Sequence, residues 1–231
     1  MPATATAPWT LAALVATARA GTTVARLDLA APAAGLVVGG TDHLLGIDLR
    51  GPCGPPADHW ARGADLTAIY EPDDRRRLRA TAMWRLHPAR VAAWELVVSA
   101  QTSLLHADAA LAVVSDVACD GAAWAAPAAG PCRWQPLRGS APPPVEAAFM
   151  LARRDTTAAV LAVHPQDPRH IDVVVGNGRA RVACGIFPAA IEKGVILRSR
   201  VLAAVGPAAG AEDWAAELCA AFAASPPFLD T

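Results

Sequence analysis

Between Arg76 and Leu105 the chain alternates between two kinds of side chain. Even-numbered Leu78, Ala80, Ala82, Trp84 and Leu86, then Ala92, Trp94, Leu96, Val98 and Ala100, are apolar. The odd positions include Arg77, Arg79, Thr81, Arg85, Glu95, Ser99, Gln101 and Ser103. A period of two over this length is the pattern of antiparallel sheet with one face buried and one wet. An amphipathic helix would repeat about every 3.6 residues instead. The pattern therefore fixes an architecture and leaves a broad polar sheet face as the place to look for function.

The two halves of this stretch should pair as a hairpin around His87-Pro88-Ala89. Facing residues must share a face, so the loop must be of odd length. A five-residue loop sets Trp84 opposite Trp94 and a three-residue loop sets Ala82 there; aromatic cross-strand pairing favours the first. Trp84, Trp94, Leu96, Val98, Val195, Leu197 and Val201 are expected in the core. Arg77, Glu95, Arg198 and Arg200 are expected on the opposite faces.

A second hairpin is clearer. Ile171, Val173 and Val175 alternate with His170, Asp172 and Val174; beyond Gly176-Asn177-Gly178, Ala180, Val182, Cys184 and Ile186 alternate with Arg179, Arg181 and Ala183. Asn177-Gly178 supplies the two positive-φ positions of a type I′ turn. A two-residue loop then pairs Val173 with Val182, apolar against apolar.

Further strands are expected at Leu36–Val38, Leu44–Leu49, Leu66–Glu71, Glu146–Arg153 and Thr157–His164, with one long strand over Ile191–Val205. Pro8–Ala20 reads either as a first helix or as part of an alanine-rich leader over residues 1–34. The Ala-, Pro- and Gly-rich stretch 121–144 reads as a loop excursion. A helix over 211–224 is expected, with Trp214, Leu218 and Phe222 on one stripe and Pro226-Pro227 to stop it. The same pattern flanks the excursion, so residues 1–231 are read as a single β-sandwich domain. Alanine makes up roughly a quarter of the chain and adds little buried area, but the larger apolar residues suffice for a core.

The net charge is −1, from 20 basic and 21 acidic residues. They are interspersed, with no basic stripe for nucleic acid. No apolar run is long enough to span a membrane as a helix. Met1–Ala20 lacks the basic start of a secretion signal. The five cysteines have no C-x-x-C spacing, which argues against a disulfide framework and structural zinc and fits reduced cytoplasmic thiols. No phosphate-binding glycine loop, nucleophile elbow or metal-binding spacing is present. No cofactor is expected, and no protein partner can be named.

Three groups carry candidate chemistry. His164 ends an apolar strand before Pro165, with Asp167 and His170 close behind; such a group at a sheet rim suits acid–base work. A capped turn uses the same residues. Asp58-His59-Trp60-Ala61-Arg62-Gly63-Ala64-Asp65 combines an aromatic platform, acids and a cation, as a sugar or uronate site does; an ordinary strand entry also contains them. Glu192, Arg198 and Arg200 read as a salt network or as an anion-binding strip.

Long two-faced strands from Leu36 to Val205, loop excursions and a polar sheet face resemble the galactose-mutarotase-like supersandwich, which includes aldose epimerases and domains of polysaccharide lyases and glycosidases. The resemblance implies a mainly β fold, a large antiparallel β-sandwich with a C-terminal α-helix. It also implies a saccharide as ligand. The mutarotase pattern needs a histidine acid and a glutamate base on facing strands, for which His164 and Glu192 are the right residue types. Substrate binding would fall to Arg62, Asp65, Arg79, Glu95, Gln101 and Arg198. Leu96–Ser103 and Glu192–Arg200 also resemble segments of bacterial proteins without assigned activity. The alternative is a non-catalytic structural or interaction domain that docks a protein through the polar face or a sheet edge.

Overall fold

The computed structural model describes residues 8–72, 75–128, 132–137, 142–167 and 169–226. In chain order the strands begin with β1 (Trp9–Ala12), β2 (Val15–Ala20), β3 (Thr23–Asp28), β4 (Leu36–Val38) and β5 (Asp42–Asp48). Then come β6 (Asp58–Arg62), β7 (Asp65–Tyr70), β8 (Leu78–Leu86), β9 (Ala92–Thr102) and β10 (His106–Asp108). Next are β11 (Leu111–Ala118), β12 (Gly121–Ala125), β13 (Gln135–Pro136), β14 (Phe149–Arg153) and β15 (Thr157–Val163). The last are β16 (Arg169–Gly176), β17 (Arg179–Ile186), β18 (Ala190–Glu192) and β19 (Leu197–Pro207), before helix α1 (Ala211–Ala224).

Among the described residues the first sheet has the order β1-β2-β3-β4-β5-β11-β17-β16, and the second β13-β12-β14-β15-β19-β9-β8-β7-β6. A short ribbon, β10-β18, stands apart from both. Adjacent strands are antiparallel throughout. The inner faces share one core, with Leu27, Leu36, Ile47, Val113 and Val182 from the first sheet and Trp84, Trp94, Leu96 and Val98 from the second. Polar atoms tie the sheets together inside it. Trp84 Nε1 donates to the Leu45 carbonyl at 3.0 Å and Tyr70 Oη to that of Leu29 at 3.1 Å.

The β16–β17 hairpin pairs Ile171 with Cys184, Val173 with Val182 and Val175 with Ala180. Asn177 and Gly178 take φ of 53° and 69°. The β8–β9 hairpin keeps the expected faces but shifts by two residues. Trp84 lies opposite Leu96 and Leu86 opposite Trp94, so the aromatic pair does not form. The connection is longer, closed by His87 N donating to the Ala93 carbonyl at 3.0 Å, and a two-residue shift leaves every side chain on its own face.

Other expectations are corrected. Pro8–Ala20 is not helical: β1 and β2 form an antiparallel pair there, and residues 9–28 build the margin of the first sheet. Trp9, Ala16 and Ala18 are buried; alanine fits either periodicity, so the sequence did not separate them. The 121–144 stretch contains β12 and β13, with β12 paired to β14; its remainder falls partly outside the described residues. The Ile191–Val205 strand breaks into β18 and β19 around Gly194, whose φ is 88°. Val195 therefore sits in a turn, 41% exposed rather than in the core. Trp84, Trp94, Leu96, Val98 and Val201 are buried as expected, and Leu197 is half-buried.

Helix α1 spans the expected residues and covers one half of the outer face of the second sheet. Ala215, Leu218, Cys219 and Phe222 pack on Phe149, Leu151, Val160 and Leu202. Trp214 lies at the margin of this stripe, its Nε1 donating to the Pro207 carbonyl at 3.0 Å.

Candidate functional site

The other half of that outer face is polar. Register sets its residues in rows across β6, β7, β8, β9 and β19. One row runs Arg62, Asp65, Arg85, Glu95; the next runs Trp60, Thr67, Met83, Val97, Arg200. Ser99 then faces Thr81 on one side and Arg198 on the other, and Arg79 faces Gln101. A cleft of about 580 Å³ opens here, lined by Trp60, Arg62, Asp65, Thr67, Thr81, Met83, Arg85, Val97, Ser99 and Arg198. Its size suits a small organic ligand.

Three sequence-selected binding residues, Arg62, Asp65 and Arg198, thus meet in one cleft. Trp60 stands at its edge with 42% of its surface exposed, although a strand indole would ordinarily seek burial. Asp65 is held by Arg85 through a forked ion pair, Nε–Oδ1 at 2.6 Å and Nη2–Oδ2 at 2.9 Å. Both groups remain about a quarter exposed, so a carboxylate and a guanidinium are fixed in place and still reachable. Arg198 Nε donates to Ser99 Oγ at 3.2 Å. Arg85, which the sequence did not single out, also lines the cleft; its place opposite Asp65 depends on a β7–β8 register that alternation alone does not set.

Arg79 and Gln101 line a neighbouring hollow of about 400 Å³ with Glu71, Arg77 and Ser103. Arg79 pairs with Glu71 at 3.4 Å. Glu95 is on the predicted face but not at a wet surface. Its carboxylate binds Arg200 Nε at 2.6 Å and lies 3.7 Å from His87, and both Glu95 and Arg200 are buried. Burial alone would raise the Glu95 pKa; hydrogen bonds from His87 and Arg200 outweigh it and hold the group below its ordinary value. Arg200 also donates to the Pro226 carbonyl at 2.7 Å and to Ser225 Oγ at 2.9 Å, so the chain after α1 covers this pair.

His164 and Glu192 are not brought together. His164 is buried at 2% exposure, edge-on to Phe222. Both ring nitrogens are engaged: Nδ1 accepts from Gln166 N–H at 3.4 Å and Nε2 donates to the Ser225 carbonyl at 3.3 Å. Glu192 stands exposed on the ribbon, 3.8 Å from His106. Neither lines the cleft. Among the described residues no group of three or more His, Cys, Asp or Glu side chains is arranged to hold a metal, and no helix is long and apolar enough to cross a membrane.

At the level of fold, the two antiparallel sheets resemble galactose-mutarotase-like, or aldose-epimerase, architecture. Among solved structures, a putative aldose 1-epimerase from Escherichia coli K12 aligns with a TM-score of 0.54 at 10% identity, covering 83% of this chain and 98% of that one. HI1317 aligns at 0.42 and 7% identity, over 83% of this chain and 92% of its own. A heparinase III gene product aligns at 0.34 and 10% identity, over 68% of this chain and 22% of its own. No protein-family description matches the sequence, and no curated protein does.

Proposed function

We propose that this protein binds a saccharide in the cleft beside Trp60. The observation that carries the reading is the convergence of Trp60, Arg62, Asp65 and Arg85 in one open hollow on a rigid sheet. A sugar ring presents an apolar C–H face and a rim of hydroxyls. An exposed indole matches the first; fixed charged groups and the Thr81 and Ser99 hydroxyls match the second. The ion pair between Asp65 and Arg85 positions acceptor and donor before the ligand arrives, which lowers the ordering cost of binding. The likeness of fold to a putative aldose 1-epimerase supports a carbohydrate ligand by analogy only.

The reading is one of recognition. An acid–base step through His164 and Glu192 would need both groups at the ligand, and the cleft is lined by neither. A saccharide array followed by calorimetry tests the proposal. Trp60→Ala should weaken binding of the best ligand at least tenfold, the loss of about 1.4 kcal/mol or more, while lowering the thermal melt by only a few °C, because the indole is 42% exposed and belongs to neither buried cluster. Absence of any saccharide binding, or equal binding by Trp60→Ala, would overturn it.

A further inference from the structure

We infer that the natural ligand is an acidic oligosaccharide, extended along β8 and β9, rather than a neutral or single sugar; this rests on the saccharide reading above. Two observations carry it. The cleft and the neighbouring hollow are consecutive stations on the same two strands: Arg85, Met83 and Thr81 line the first and Arg79 the second, while Val97 and Ser99 lead on to Gln101. Arg85 and Arg79 are six residues apart along β8, so the track is about 20 Å long at ~3.3 Å per residue, long enough for several sugar rings.

The second observation is charge. Five guanidinium groups, those of Arg62, Arg85, Arg198, Arg77 and Arg79, line the two hollows against the two carboxylates of Asp65 and Glu71, among the described residues. The chain as a whole carries a net charge of −1, so among the described residues these hollows are richer in cations than the chain at large, with Arg85 held by Asp65 and Arg79 by Glu71. Guanidinium groups pair with carboxylate or sulfate through parallel hydrogen bonds, a geometry a row of acidic sugars would satisfy repeatedly. A single-stranded nucleic acid is also a polyanion, but it needs an aromatic face for successive bases. Among the described residues, Trp60 is the one aromatic side chain lining either hollow.

Calorimetry on the full chain tests this with a galacturonate dimer and tetramer, a chondroitin sulfate tetrasaccharide, neutral cellotetraose and an oligothymidylate. At least one acidic tetrasaccharide should bind tenfold or more tighter than the galacturonate dimer and than cellotetraose, with affinity falling as salt is raised. Arg79→Gln should weaken the tetrasaccharide at least fivefold more than the dimer. This arginine is half-exposed, so the variant should fold. Equal or tighter binding of cellotetraose overturns the acidic assignment and leaves the saccharide reading standing. No gain from dimer to tetrasaccharide overturns the extended track. Oligothymidylate binding as tightly as the acidic sugar replaces the inference with a nucleic-acid one, and failure of every saccharide overturns both readings.

Discussion

Glu95 shows how a residue on a polar sheet face can become interior. Its carboxylate and the Arg200 guanidinium are almost wholly buried, so removing one partner leaves an uncompensated charge. Glu95→Gln should cost about 3–5 kcal/mol. The pH dependence has a definite sign. Because the folded state holds the Glu95 pKa below its ordinary value, the group contributes its full stability above the unfolded-state pKa. That contribution is lost as pH falls through the lower folded value. Melts of parent and Glu95→Gln should therefore differ most near neutral pH and converge under acid, below the ordinary carboxylate range. A gap that persists or widens in acid would refute this. Alternation in the sequence placed Glu95 and Arg200 on the face opposite Trp94, correctly. It could not reveal the lid, because Ser225 and Pro226, which close over Arg200, lie about 25 positions further on and no local period links them.

At the scale of elements, short-range chemistry was legible and close approaches were not. The Asn177-Gly178 hairpin carried turn residues and register in one sentence of sequence, and the fold reproduces it rung for rung. The β8–β9 pairing slipped because its loop has no such turn signature. The 3₁₀ turn Pro32–Ala34 illustrates what alternation misses. It packs directly on β5, where a Cβ added at Gly46 would stand 2.3 Å from the Ala33 carbonyl oxygen. That neighbour is backbone and cannot swing aside. Gly46→Ala should cost about 3 kcal/mol or more, at or above the usual overpacking range. Gly121 offers the control: it is also in a strand, and a Cβ there meets nothing within 4 Å. Gly121→Ala should be neutral or stabilising by about 0.5–1 kcal/mol. Denaturant midpoints that move equally for both variants would show that the turn does not constrain β5.

For the whole molecule, the decisive asymmetry lies on the outer face of the second sheet. Helix α1 buries the half built from β14, β15 and the C-terminal part of β19, where the outward residues are Phe149, Leu151, Val160 and Leu202. The half built from β6 to β9 carries Trp60, Arg62, Asp65 and Arg85 and stays open. Alternation in the sequence read a polar face on β8 and β9 and placed the helix over its observed span, but did not divide the face into two halves. It did not say which strands the helix would cover, since β19 contributes to both halves. If one half holds the fold and the other the ligand, substitutions in each should separate. Phe222 is fully buried, edge-on to His164 and 5.0 Å beneath the Arg200 guanidinium. Phe222→Ala should cost about 3–5 kcal/mol through the cavity it leaves, yet at a temperature where the variant is still folded its saccharide affinity should match the parent. Trp60→Ala should do the reverse, losing affinity with a much smaller change in its melt. Calorimetric titration and thermal melts on both variants decide the matter: a Phe222→Ala protein that melts like the parent, or that binds as poorly as Trp60→Ala while folded, would mean that the two halves of this face are not independent.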